Sequence, residues 1–220
     1  MAPKPSLLPL FLCAEALLYA AFIYCDLSNC WTIGTGLKYT ALLLCLLVSL
    51  NNRFTRDGRL VSLALLLTAL ADLFLLVLDR YYILGVAFFC PVQLLYALRL
   101  RHMAPQHAPL WPRFLLSGGA LAALAATGNL DFLTALVCFY FPQLVYNAFE
   151  SLRLEPERQN RFFSIGLWLF LCCDICVGLH NLSSYLPVSM PAASVVQVAM
   201  WAFYLPSQVL IVLSASRRFP

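Results

Sequence analysis

Long apolar runs recur along the chain, parted by short polar stretches. They fall at about 6–25, 35–50, 60–78, 83–100, 110–127, 130–149, 162–182 and 192–214. A helix needs roughly 20 apolar residues to cross the hydrocarbon core, and in lipid a helix satisfies its own backbone. The pattern predicts an all-α membrane protein of eight transmembrane helices, forming a single transmembrane domain over residues 1–220. Lys4 precedes the first run as it would in a signal peptide. Glu15 within the run, and the further apolar segments behind it, predict a retained helix instead.

Composition agrees. Hydrophobic residues make up 62% of the chain and charged ones 11%, whereas a soluble domain is nearer half apolar and a quarter charged. Mean hydropathy is +0.83. The net charge of +4 is an orientation signal. Lys4, Arg53, Arg56, Arg59, Arg99, Arg101, Arg113, Arg153, Arg158, Arg161, Arg217 and Arg218 fall on one side of an eight-span arrangement, and only Arg80 and Lys38 fall toward the other. By the positive-inside rule both termini are expected in the cytoplasm, and the basic balance is no nucleic-acid footprint. Seven of the nine cysteines lie within apolar runs, where a thiol behaves as a small hydrophobe. Cys25 and Cys30 flank a loop, where a bridge could close. His102, His107 and His180 lie apart from any metal-ligand spacing, so no metal and no other cofactor is expected.

The two halves echo each other. In residues 59–79 and 161–181, Ser follows Arg by three positions and Asp follows Arg by thirteen, with Asp79 or Asn181 seven further on. The next segments carry Pro-Val-Gln (91–93) and Pro-Ser-Gln (206–208), and the preceding ones carry Thr-Ala-Leu at 40–42 and 134–136. A parallel 4+4 internal repeat, about 1–105 and 106–220, accounts for these matches, since an even-numbered unit preserves orientation. Chance matching of apolar segments is the alternative.

The repeat aligns two carboxylates. At 1.5 Å per residue, Asp72 and Asp174 each lie ~20 Å from the arginine-rich rim, Lys38 ~22 Å and Glu15 ~17 Å, so four ionisable groups are expected in one layer. Helical spacing adds stripes: Thr68 with Asp72 and Asp79; Asp174 with Gly178 and Asn181; Tyr140, Gln143, Asn147 and Glu150; Gln197, Tyr204 and Gln208. Such stripes should face one another or a wet cavity, because lipid offers them nothing. They serve equally as interhelical glue, Lys38 could simply snorkel, and Glu15 could pair with it. Asp79, Arg80, Asp131 and His180 are expected at the outer surface as solvated groups. Charged groups at membrane depth usually mark function. Two carboxyl groups facing one another away from water tend to hold one proton between them, an acid beside an anion suited to oxocarbenium chemistry. No serine-hydrolase elbow, phosphate loop or zinc motif is present.

In order and spacing, the polar residues resemble the YhhN family of membrane proteins, which includes the lysoplasmalogenases. That family has a Lys opening the second helix, a Gly-Asp motif, F-x-x-G, H-x-x-Y, a Ser-Asp motif and a final Y-x-x-x-Q. Here Lys38, Ala71-Asp72, Tyr82 to Gly85, Gln93 to Tyr96, Cys173-Asp174 and Tyr204 to Gln208 stand in those places. Ala71, Gln93 and Cys173 depart from the pattern, and the amide of Gln93 cannot titrate as a His would.

The resemblance implies hydrolysis of the vinyl ether bond of a lysoplasmalogen, with Asp174 as acid and Asp72 as base or stabiliser. It also implies Lys38 facing the phosphate, and Gln93, Tyr96, Tyr204 and Gln208 lining the cavity. The expected partners are a lysophospholipid substrate and membrane lipid. Paired carboxylates in parallel repeats also describe a proton-coupled transporter, and the departures would suit a non-catalytic lipid-binding relative.

Overall fold

The computed structural model describes residues 8–104, 109–128, 130–183 and 190–215. All eight expected helices form: α1 (Leu8–Leu27), α2 (Trp31–Ser49), α3 (Arg56–Asp72), α4 (Tyr82–Met103), α5 (Trp111–Ala126), α6 (Phe132–Ser151), α7 (Arg158–Ser183) and α8 (Met190–Ser214). No strand occurs among the described residues. Seven of the helical segments are long and apolar enough to cross a membrane. The eighth, α5, has 16 residues and covers only ~24 Å. It nevertheless carries the chain from one end of the bundle to the other. Phe89 meets Tyr140 and Gln93 meets Asn147, so α4 and α6 run in the same direction and α5 must return between them.

Local chemistry starts two of these helices. Thr55 caps α3 by accepting from the Gly58 N–H at 2.9 Å, and Asp131 with Thr134 forms a capping box on α6. Beyond Asp72, α3 continues as a wider π-helical stretch, Leu73–Val77. Pro91, Pro142 and Pro206 lie inside α4, α6 and α8. A proline leaves the carbonyl four residues earlier without its helical donor. At Pro206 that carbonyl is Ala202, and the Tyr19 hydroxyl of α1 donates to it at 3.2 Å.

Helix pairs α3–α4, α4–α6, α6–α7, α7–α8 and α8–α3 close a five-helix ring. Buried Phe89, Tyr96, Tyr140, Phe163, Phe170 and Tyr204 fill its centre. Outside the ring, α1 and α2 pack on α8, and α5 packs on α6. Consecutive helices alternate in direction, so residues 8 and 215 lie at one end of the bundle. That end carries the exposed arginines Arg53, Arg56, Arg59, Arg153 and Arg161. Two of the arginines expected at that rim are inside the protein instead: Arg99 is 0% exposed and Arg113 3% exposed.

Candidate functional site

The ring brings Asp72 and Asp174 into one interior. Asp72, the last α-helical residue of α3, is buried and accepts a hydrogen bond from the Tyr204 hydroxyl of α8 at 2.6 Å. Asp174 of α7 is half-buried and accepts one from the Tyr140 hydroxyl of α6 at 2.5 Å. A run of rings joins their partners: Tyr140 to Phe89 at 5.6 Å, Phe89 to Phe170 at 5.8 Å, and Phe170 to Tyr204 at 5.7 Å. Two Tyr–Asp pairs thus bracket an aromatic wall. Ala71 and Cys173, beside the aspartates, are buried against the same interior.

One turn toward the arginine-rich end lies a second layer. Because α3 and α8 run antiparallel through Asp72 and Tyr204, Thr68 and Gln208 share a level. Contacts of α4 and α7 through Phe89–Phe170 and Tyr96–Phe163 bring Gln93 to that level and Tyr96 a turn further in. All four residues are buried. Thr68 Oγ1, Gln93 Nε2, Tyr96 Oη and Gln208 Oε1 find no hydrogen-bond partner among the described residues, which costs about 1–3 kcal/mol for each orphaned group. Gln93 uses its other amide atom, accepting from Asn147 Nδ2 at 3.0 Å.

Lys38 lies at the edge of this interior, buried against the Trp201 ring at 4.7 Å. Its ammonium contacts both oxygens of Asp26 in α1, at 2.8 and 2.7 Å. A Cβ on Gly34 would come within 2.9 Å of Asp26 Oδ1, so a glycine at 34 makes room for the carboxylate.

The expected four-group layer is corrected here. Glu15 is not level with Lys38; it accepts from the Cys45 thiol at 3.4 Å, and Cys45 lies seven residues from Lys38, ~10 Å along α2. The register of α1 is set by its short turn into α2, which brings Asp26 to Lys38, and the distance from Lys4 does not govern it. Cys25 and Cys30 are both free thiols.

Sequence reasoning missed three ion pairs. Asp26 holds Lys38; Asp57 grips Arg99 through both oxygens at 2.7 and 2.9 Å; and Glu150 pairs with Arg113. Arg99 also donates to Ser214 at 2.7 Å and lies 4.1 Å from the Phe163 ring. Arg113 also donates to Asn147 at 2.7 Å. A signal for them did exist, since Arg99 and Arg113 lie inside apolar segments rather than between them. As anticipated, Tyr140, Gln143, Asn147 and Glu150 form one buried stripe, and Asp79, Arg80 and Asp131 are exposed.

A multi-pass helical membrane protein with tyrosine-held carboxylates at its centre is the class these features define. Residues 34–215 match the YhhN family, and the chain belongs to it. The matched region begins after α1, so Asp26 comes from outside it. No curated protein and no solved structure matches the chain.

Proposed function

We propose that the protein is a membrane hydrolase of the lysoplasmalogenase type, cleaving the vinyl ether bond of a single-chain lipid at Asp72 and Asp174. The observation that carries this reading is the pair of carboxylates, each fixed by a tyrosine hydroxyl and facing one aromatic interior. Asp174, the less buried of the two, is the acid. It transfers a proton to the vinyl carbon remote from oxygen, leaving an oxocarbenium ion at the carbon bonded to oxygen. Asp72 stabilises that cation and takes a proton from the attacking water. The hemiacetal then loses its alcohol, giving a fatty aldehyde and the glycerol-based fragment, and the protons return to the carboxyl groups. Chemistry of this kind needs positioned general acids and bases and no metal.

A mostly apolar groove of about 520 Å³ opens between the starts of α4 and α6, lined by Tyr81, Tyr82, Ile83, Leu84, Phe132 and Leu133 with Asp131. About two turns further along the same helices lie Phe89 and Tyr140, so the groove is our candidate for lateral entry of the lipid tail. The arginine-rich end faces the cytoplasm in this proposal.

A second groove of about 350 Å³ at the opposite end, polar and lined in part by Arg56, Asp57, His102 and Glu155, favours one competing reading, a proton-coupled carrier. Aldehyde release from a lysoplasmalogen by the purified protein decides between them. Release that falls 10²–10⁴-fold in Asp72→Asn and Asp174→Asn, the usual span for a lost acid or base, supports the hydrolase. Lipid movement across vesicles without aldehyde would replace it with the carrier.

A further inference from the structure

The groove at the starts of α4 and α6 carries chemistry that a hydrocarbon tail does not use. Three of its residues are aromatic, Tyr81, Tyr82 and Phe132, and one is acidic, Asp131. Among the described residues no Lys or Arg lines it. Asp131 is held in place as the cap of α6, where its Oδ1 accepts from the Thr134 backbone N–H at 2.7 Å and from the Thr134 hydroxyl at 2.8 Å. Those bonds, the backbone one foremost, hold its carboxyl below the usual carboxylate range, so it is an anion at neutral pH. A carboxylate has about four acceptor positions, and capping leaves Asp131 room for a ligand. A second carboxylate stands at the rim, where Asp79 accepts from the Tyr82 hydroxyl. The Tyr81 ring is braced edge-on against Phe74 at 6.3 Å. Ring faces beside an anionic carboxylate attract an organic cation.

We infer that this groove is a headgroup subsite, holding the ammonium of a zwitterionic lysolipid with Asp131 as counter-charge and Tyr81, Tyr82 and Phe132 as aromatic wall. The inference rests on the proposed site at Asp72 and Asp174, and its dimensions agree with that site. Tyr140, which holds Asp174, follows Asp131 by nine residues, ~13 Å along α6. In a choline lysolipid about ten bonds separate the vinyl carbon on oxygen from the nitrogen, and extended chains advance ~1.2 Å per bond, or ~12 Å in all. A lipid whose tail has passed inward, with its reactive carbon at the carboxylates, therefore leaves its ammonium in the groove. The phosphate and ammonium stay at the surface and keep much of their hydration, which avoids the cost of burying them.

The test uses lipids without a vinyl ether, so its outcome does not depend on whether the protein is a hydrolase. Binding of 1-O-hexadecyl-glycero-3-phosphocholine and of 1-O-hexadecyl-glycero-3-phosphoglycerol is titrated on the full chain in a maltoside detergent. The two lipids share tail and phosphodiester, and only the first has an ammonium. The phosphocholine lipid should bind about tenfold more tightly, the sum of a cation–π and an exposed charge contact. Asp131→Asn keeps the cap, since Asn caps as well as Asp, and should narrow the gap about threefold or more. Phe132→Leu keeps an apolar side chain and removes the ring face. It should weaken the phosphocholine lipid about two- to fivefold and leave the phosphoglycerol lipid unchanged, which a change in overall charge alone would not do. Equal or weaker binding of the phosphocholine lipid by the unaltered protein, binding of neither lipid, or a gap that survives both variants overturns the inference. The rings would then be interfacial anchors only. A headgroup preference without aldehyde release from a lysoplasmalogen would overturn the hydrolase and leave the subsite; aldehyde release without a headgroup preference would do the reverse.

Discussion

The tyrosines separate this site from a pair of carboxylates that merely happen to be buried. A phenol that donates to a carboxylate holds its plane and leaves the other oxygen free to act, and hydrogen bonds to charged groups contribute about 1.5–3 kcal/mol each. Tyr204 does this for Asp72 and Tyr140 for Asp174. Tyr204→Phe and Tyr140→Phe keep the ring packing and remove only the donor. Each should leave the purified protein folded and lower aldehyde release about 10–100-fold, measured at saturating lysoplasmalogen. An unchanged rate in either variant would mean that its hydroxyl is packing glue and nothing more. The three departures from the family pattern fall into place at the same scale. Ala71 and Cys173 are small, buried and compatible with close packing, while Gln93 has exchanged titration for a hydrogen bond with Asn147.

Among the helices, α5 is held differently from the rest. Only Arg113 and Ser117 of its residues are buried, and its outer side chains face lipid, which supplies no hydrophobic drive for docking. Its attachment to α6 therefore rests on Arg113, which reaches Glu150, Asn147 and Gln143, with Ser117 accepting from Gln143 Nε2 at 3.2 Å. Arg113→Met should strand Glu150 and cost about 3–5 kcal/mol, the usual loss when one partner of a buried pair is removed. Urea or thermal unfolding in detergent measures this, and the double change Arg113→Met with Glu150→Leu should recover much of it. The same helix shows where hydropathy reading reaches its limit. At 16 residues α5 fails a length criterion, yet the parallel course of α4 and α6 requires it to run the height of the bundle.

For the whole molecule, alternation of eight helices puts the turn at residues 28–30 and the turn after α6 at opposite ends. Cys30 is an exposed thiol in the first, and Arg153 is exposed in the second. Thiols at lipid depth ionise poorly, so a membrane-impermeant reagent reports water-facing positions. Applied from outside intact cells, such a reagent should label Cys30. A cysteine placed by Arg153→Cys should be labelled only after permeabilisation. The reverse pattern would invert the orientation proposed from the arginines, and labelling of both from outside would break the eight-helix alternation itself.

How much of this was legible beforehand follows from the range of the forces involved. The helices and their order were readable because hydropathy is a local, repeating property of the chain. The family was readable for a related reason, as its polar residues keep their order along the helices. The partner of each polar side chain was not readable, because that depends on how helices rotate and slide against one another. Rotation about α3 and α8 joins Tyr204 to Asp72, across 132 positions of sequence. Sliding of α1 on α2 gives Lys38 to Asp26 and leaves Glu15 to Cys45. Arg99 and Arg113 counted as rim charges in one dimension, and only the packed bundle, where each finds a carboxylate, shows why charges can stand inside a membrane protein. The sequence by itself determined which segments are helices and in what order they come; the tertiary structure decided how those helices slide and turn against one another, and so which polar groups meet.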